Sequence, residues 1–87
     1  MSVNSRQMRL GILYNLMLSE DYCRKVLPFI QEEYFETQGE KVIAQEIAKY
    51  FNKYNTSPSK AAMSIEVESR TDLTEPIYKE VQSFLKS

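Results

Sequence analysis

Apolar residues recur at helical spacing along almost the whole chain, and alternation with a period of two never lasts long enough to predict a strand. The clearest segment covers residues 38 to about 55, and its apolar residues fall on one face of a helix: Ile43, Ile47, Tyr50, Phe51 and Tyr54. Thr37 and Glu40 have the spacing of a capping box at its start. The pattern predicts an all-α fold with this helix at its centre of mass.

Two shorter helices are predicted before the long one. The first covers residues 5 to about 18, and the Ser19 hydroxyl caps the second. Proline disfavours helical geometry in the residue before it, so Pro28 ends the second helix near Val26. Residues 28–35 are expected to form a tight single-turn connector. This connector is expected to place three aromatic side chains in the core, those of Phe29, Tyr34 and Phe35.

Two more helices are predicted after the long one. Ser57 and Pro58 are typical of an N-cap followed by proline at the first helical position, and this helix is expected to extend to about residue 69. Its inward-facing residues are expected to be Ala62 and Ile65, with Met63 and Val67. The last helix begins near Thr74, and its apolar face is formed by Ile77, Val81, Phe84 and Leu85. Residues 1–87 are therefore expected to form a single domain of about five or six short helices.

Gly39 falls in the first turn of the long helix, where glycine costs roughly 1 kcal/mol relative to alanine. Two explanations remain open. Either a neighbouring segment crosses the helix closely at this position, or the first turn is loose.

The composition excludes most enzymatic chemistry. The chain contains no histidine and one cysteine, so zinc sites, Ser-His-Asp triads and Cys-His dyads are all absent. No GxxxxGK[ST] phosphate loop occurs, so we expect no ATPase or unwinding activity from the chain alone. We expect no catalytic, metal-binding or cofactor-binding residues. Cys23 is expected to be a small buried hydrophobic residue in a reducing compartment.

The charge balance disfavours nucleic acid as a direct partner, because eleven Lys and Arg residues against twelve Asp and Glu give a net charge of −1. Lys49 and Lys53 interleave with two tyrosines, a pattern that can bind single-stranded nucleic acid. Those tyrosines, Tyr50 and Tyr54, are predicted to face the core, which favours a solvated lysine edge instead. A divalent ion is similarly disfavoured at the acidic cluster, Glu32, Glu33 and Glu36, because the glycine-turned loop of a calcium site is missing.

The longest apolar runs are three residues, far shorter than a membrane span, and the N-terminus lacks the apolar region of a secretory signal. We therefore expect no membrane association and a cytoplasmic location.

The first helix has more apolar surface than one core requires. Its apolar residues spread over about 240° of its circumference at about 100° per residue, whereas a helix that covers one core needs about 100°. Either it is wrapped by the other helices, or one flank contacts a second protein: Ile12 with Leu16, or Tyr14 with Leu18. Tyr78 likewise falls off the centre of the inner face of the last helix. The predicted interface residues are Ile12, Tyr14, Leu16 and Tyr78.

Two stretches, LGILYNLMLSEDYCRKVLPFI and EEYFETQGEKVIAQEIAKYFNKYNTSPSKAAMSIEVE, carry a pattern of core positions in a distinctive order and spacing. The pattern consists of Leu16, Met17 and Leu18, Tyr22, the pair Tyr34 and Phe35, Ile43, Ile47, Tyr50, Pro58, Leu73, Thr74, Glu75, Tyr78 and Val81. It resembles the N-terminal domain of hexameric replicative DNA helicases of the DnaB type, and within them the T4-type phage branch. The resemblance covers about residues 10 to 85.

The resemblance implies a role in DNA replication. In that family this domain forms the collar of the helicase ring, associates with its own copies in the hexamer and docks primase; a helicase loader is a further implied partner. DNA would be reached only through the full-length protein, whose RecA-like ATPase domain and helical hairpin are absent from these residues. The chain is therefore expected to be part of something longer, an isolated collar domain that is monomeric or weakly dimeric, in the host cytoplasm if phage-encoded. The alternative is a freestanding phage adaptor that mimics this domain to bind or inhibit a host replication helicase.

Overall fold

The computed structural model describes residues 5–86, and over that range the chain is a helical bundle. Its α-helices are α1 (Arg6–Leu18), α2 (Glu20–Val26), α3 (Gln38–Tyr54), α4 (Lys60–Glu68) and α5 (Glu75–Lys86). Two 3₁₀ turns, Leu27–Phe29 and Glu32–Tyr34, connect α2 to α3. The all-α prediction is confirmed. In the described part of the chain, every helix is too short or too polar to cross a membrane.

The first three α-helices each follow a hydroxyl side chain that caps them, as predicted for Ser19 and Thr37. Ser5, Ser19 and Thr37 each accept a hydrogen bond from the backbone N–H three residues later. The capping box of α3 is complete, because the Glu40 carboxylate also accepts the backbone N–H of Thr37 at 3.3 Å. Asn55 ends α3 in the left-handed conformation, with φ of 58°.

The core lies where α3 packs against α1, α4 and α5. Its buried apolar residues are Leu13, Leu16, Cys23, Phe35, Val42, Ile43, Ala44, Ile47, Met63, Val67, Val81, Phe84 and Leu85. The predicted inner face of α5 is confirmed at Val81, Phe84 and Leu85, and Ile77 is half-buried beside them.

The connector before α3 differs from its prediction. Phe35 is buried, but Phe29 is 73% exposed and Tyr34 is 44% exposed, so the expectation that all three enter the core is wrong. The reason is that the connector contains two 3₁₀ turns instead of one, separated by extended backbone at Ile30 and Gln31. Successive turns point their side chains in different directions, and only the last aromatic reaches the core.

The start of α4 also differs. Its N-cap is Ser59, whose hydroxyl accepts the backbone N–H of Ala62, and not Ser57 as predicted. Met63 and Val67, one helical turn apart, form the buried side of α4. Ile65 is 64% exposed because it lies two residues from each of them, about 200° around the helix. Its predicted inward orientation is therefore wrong, and Ala62 is only half-buried.

The apolar face of α3 is only partly covered. Ile43 and Ile47 are buried as predicted, whereas Tyr50 and Phe51 are half-buried and Tyr54 is 50% exposed. All the buried residues of α3 lie between Gly39 and Ile47. The prediction of a continuous buried face is therefore wrong for the last two turns, because the neighbouring elements cover only the first half of this 17-residue helix.

Candidate protein-interaction surface

The inner side of α1 is fully used by the core. Arg9, Leu13 and Leu16 are buried there, and α1 packs against α2 and α3. Leu16 has no exposed surface, which removes this residue from the predicted interface. Ile12, its partner on the predicted flank, is half-buried and packs against the core. The Ile12 and Leu16 flank therefore offers little area to a second protein.

The outer side of α1 is uncharged, since residues 10–19 contain no Asp, Glu, Lys or Arg. Leu18 is 77% exposed at its C-terminal end and Met8 is 49% exposed near its start. A Cβ atom added at Gly11 would meet no other residue within 4 Å. This face therefore lies open, without charges that would have to be desolvated on contact.

Tyr14 anchors α1 to α5. Its ring stacks on Phe84 with centroids 4.3 Å apart and an angle of 18° between the planes, and its hydroxyl donates to the Phe84 carbonyl at 3.2 Å. The Lys60 ammonium at the start of α4 lies 6.0 Å from the centre of the Tyr14 ring. The half-buried Tyr14 thus has a structural role, and only part of its surface faces solvent.

Tyr78 marks a different surface. It is half-buried and lines a shallow cleft between α4 and α5 with Ser64 and Gln82. The Tyr14 ring stacks on Phe84 of α5. Phe84 lies six residues after Tyr78 on that helix, which places the two about 120° apart around its axis. The structure therefore does not bring the two predicted interface tyrosines together in one patch.

A second shallow groove joins Tyr14 to Leu18. Between the end of α1 and the start of α4, the α1/α4 groove has a volume of about 260 Å³ and is lined by Tyr14, Met17, Leu18, Pro58, Ser59 and Lys60. The sequence indicated its α1 side through the Tyr14 and Leu18 flank. It did not indicate Pro58 or Lys60, because they join this surface only when the loop before α4 folds back against α1.

A buried ion pair fixes the other end of α1. The Arg9 Nε donates to Glu40 Oε1 at 2.7 Å, and both side chains are almost completely buried. The same oxygen accepts the backbone N–H groups of Glu36 and Thr37. Burial on its own raises the pKa of Glu40, but the hydrogen bonds from Arg9 and the two backbone groups outweigh it, and the pKa lies below its ordinary value. The hydrogen bond to Glu40 raises the pKa of Arg9.

Glu80 of α5 accepts two hydrogen bonds from the N-terminal end of α3. Its Oε2 accepts the Thr37 hydroxyl at 2.6 Å and its Oε1 accepts the Gly39 N–H at 3.2 Å. A Cβ atom at Gly39 would overlap this carboxyl group. Of the two explanations for Gly39, the close crossing of a neighbour is confirmed.

A further ion-pair network ties α3 to the loop before α5. The Arg70 guanidinium contacts Glu46 Oε2 at 3.0 Å and Asp72 Oδ2 at 2.7 Å. Its hydrogen bond lowers the pKa of Asp72, and the same contact raises the pKa of Arg70. These ion pairs hold the loop before α5 against α3, and Glu46 also lines a cleft of about 260 Å³ beside Lys49 and Lys53.

The sequence also raised a divalent-ion site at the acidic cluster and a possible role for Cys23. Among residues 5–86, the structure brings together no group of three or more side chains suited to a metal ion. In the acidic cluster, Glu32 accepts the Gln45 amide at 3.0 Å and Glu36 pairs with Arg9. Cys23 is buried, and burial raises the pKa of its thiol, as expected for an unreactive cysteine.

The edge of α3 that carries Lys49 and Lys53 also exposes its two tyrosines, Tyr50 and Tyr54, more than predicted. The Tyr50 and Tyr54 rings lie 4.5 Å apart in a tilted arrangement. Lys49 is held by Glu46 at 3.5 Å and by Glu66 at 4.0 Å. The paired carboxylates offset the positive charge that a phosphate backbone would require.

Comparison with known proteins identifies one similarity. The chain is 31% identical over 74 residues to a DnaB-like replicative helicase from Enterobacteria phage T4, and the alignment covers 85% of this chain. It spans only 15% of the length of that helicase. No family model and no solved structure matches the chain. The chain is therefore similar to a small part of a replicative helicase.

Proposed function

We propose that the chain is the N-terminal collar domain of a phage replicative DNA helicase, which contributes to ring assembly and docks primase. The main support is the similarity to the T4 helicase over most of the chain. The described fold supports the proposal as well, because it is a small helical bundle whose polar clusters join its own helices.

The surfaces of the bundle suit protein contacts. The α1/α4 groove presents Leu18 and the solvent-exposed part of Tyr14 beside the uncharged outer face of α1. A tyrosine gives a contact a large apolar area with a polar tip, which suits a surface that also exists free in water. We propose this groove as the primase-docking surface, and the Tyr78 cleft as a second candidate contact.

Association between isolated copies should be weak, because the grooves described in residues 5–86 are small. In a hexamer, six linked domains would act on each other at high effective concentration, which strengthens weak contacts without new interactions. A helicase loader is a further partner under this proposal. ATP-dependent unwinding and contact with DNA would belong to the rest of such a helicase, acting in the cytoplasm of the host.

The primase contact can be tested with a matched pair of variants. Leu18→Ser removes the most exposed apolar side chain of the α1/α4 groove, and Ile65→Ser removes a similarly exposed side chain of α4 outside it. We expect Leu18→Ser to weaken primase binding roughly tenfold or more, as measured by calorimetry with the primase of the same replication system. Ile65→Ser should bind like the parent, and both variants should melt within a few degrees of it.

Equal binding by the parent and Leu18→Ser would exclude the groove as the docking surface, and no binding by the parent would argue against primase as a partner. Sedimentation of the 87-residue chain gives a second test. We expect mostly monomer at micromolar concentration, and a stable hexamer would show that this domain alone drives assembly. Inhibition of a host helicase by the isolated chain would favour the adaptor hypothesis instead.

A further inference from the structure

A cleft of about 310 Å³ lies between α1, α3 and α5 and shares Tyr14 with the α1/α4 groove. Its apolar walls are formed by Leu10, Ile43 and Phe84. Two carboxylates, Glu40 and Glu80, also line it. The cleft therefore combines apolar walls with two carboxylates and one guanidinium, that of the exposed Arg6.

The two oxygens of Glu40 are used very differently. All three of its hydrogen bonds, from Arg9 and from the backbone of Glu36 and Thr37, go to Oε1. Oε2 is buried and has no hydrogen-bond partner. A carboxylate has acceptor sites on both oxygens, and a buried charged oxygen without a donor is costly. The pKa of Glu40 lies below its ordinary value, so the carboxylate is ionised near neutral pH and Oε2 lacks a hydrogen-bond donor.

We propose that this cleft receives a lysine side chain from a partner protein, with the ammonium donating to Glu40 Oε2. Glu80 supplies a second negative charge, while the apolar walls cover the methylene groups of the lysine. This inference does not depend on the helicase proposal, because it rests on the geometry of the cleft alone.

The chemistry favours an ammonium over other cations. An arginine pairs best with both oxygens of a carboxylate, and here Oε1 is already occupied by Arg9. A divalent metal ion requires several oxygen ligands, and the described residues assemble no such group. A lysine ammonium is compact and can serve a single free oxygen.

The lysine reaches Oε2 only if side chains that line the cleft move, because this oxygen is buried in the unbound chain. The exposed side chain of Arg6 lies at the rim of the cleft. No ion pair of Arg6 is found within residues 5–86, so it is free to turn aside as the lysine enters.

The test uses N-acetyl-lysine N-methylamide as the probe, titrated into the isotope-labelled 87-residue chain and followed by NMR. We expect saturable shifts of the Leu10 and Ser83 amides in the millimolar range. The norleucine analogue has a similar stem without the ammonium and should give no saturable shift. The arginine analogue should bind more weakly than the lysine probe.

Variants separate binding in the cleft from effects on folding. Ser83→Trp fills the cleft from an exposed position one turn beyond Glu80, and Asn52→Trp places the same ring on an exposed position of α3 outside it. We expect Ser83→Trp to abolish the shifts and Asn52→Trp to keep them. Absence of saturable shifts in the parent, equal shifts with the norleucine or arginine analogue, or unchanged binding by Ser83→Trp would each overturn the proposal.

Discussion

The two halves of α3 have the same apolar periodicity and opposite environments. The first half holds the buried residues of the helix, a complete capping box and Glu40, which ties it to α1. The second half leaves Tyr50 and Phe51 half-buried and Tyr54 exposed, with its lysines paired to carboxylates or lying over an aromatic ring. An amphipathic pattern thus specifies which side of a helix is apolar, while burial depends on how far the neighbouring helices extend along it.

Truncating the apolar side chains of α3 in turn should reveal this gradient. Ile47 has no exposed surface, so Ile47→Ala should lower the free energy of unfolding by about 2–5 kcal/mol. Phe51→Ala should cost roughly 1–2 kcal/mol, because Phe51 is half-buried and not fully covered as the sequence predicted. Tyr54→Ala should change stability by about 0.5 kcal/mol or less. Urea denaturation at neutral pH measures all three.

A loss at Tyr54 equal to the loss at Ile47 would contradict this gradient. It would show that the second half of α3 is covered as fully as the first.

The two glycines of the chain extend the comparison to α1. Alanine at Gly11 meets no neighbour, so Gly11→Ala should stabilise the chain by up to about 1 kcal/mol. Gly39→Ala should instead destabilise it by roughly 1–3 kcal/mol, because the Glu80 carboxyl must move and lose its bonds to Gly39 and Thr37. Thermal melting with a calorimetric enthalpy gives both values.

A double variant isolates the cause. In a Glu80→Ala background, where the overlapping carboxyl is gone, Gly39→Ala should become neutral or stabilising. If Gly39→Ala is equally destabilising in both backgrounds, the close approach of Glu80 is not the reason for this glycine.

The smallest effect is expected in the acid dependence of stability. The folded pKa of Glu40 lies below its unfolded value of about 4.3. The stability that Glu40 contributes is therefore present above that pH and is lost as the pH falls through the folded pKa. Glu40→Gln should be less stable than the parent at pH 7 but lose less stability between pH 5 and pH 3. Asp72, whose pKa is also lowered, leaves part of the slope in place.

The urea midpoint, measured at several pH values in this range, shows how the free energy of unfolding changes with pH. Glu33→Gln is the control, because it removes one exposed carboxyl from the connector. The control should keep the slope of the parent. A Glu40→Gln profile parallel to the parent would mean that the Arg9 pair contributes no acid sensitivity.

Local signals in the sequence predicted the helix starts best. Ser19 and Thr37 act as the predicted caps because a hydroxyl and a backbone N–H three residues later need no distant partner, and Ser5 caps the first helix in the same way. The same reasoning failed at Ser57, where Ser59 offers an equivalent hydroxyl two residues later and Pro58 packs into the interior instead. Packing selects between these two possible N-caps of similar strength. The local sequence pattern carries no information about packing.

The candidate surface was predictable only in part. The wide apolar arc of α1 indicated that some apolar surface remains after the core is filled, and Leu18 is such a residue. The arc did not show that Leu16 is fully buried or that the Tyr14 ring is partly covered by stacking on Phe84. Those outcomes depend on which helices surround α1.

By itself, the sequence determined the all-α class, the helix boundaries at Ser19, Val26 and Thr37, and the absence of the residues that common catalytic sites require. Only the tertiary structure decided how much of α3 is covered, that Gly39 makes room for Glu80, and that one oxygen of Glu40 is buried without a donor. The physical reason is the range of the interactions. Caps and helical periodicity act within a few residues of the chain, whereas burial and the partners of a buried charge depend on segments about 30 to 40 residues away, as for Arg9 with Glu40 and Gly39 with Glu80.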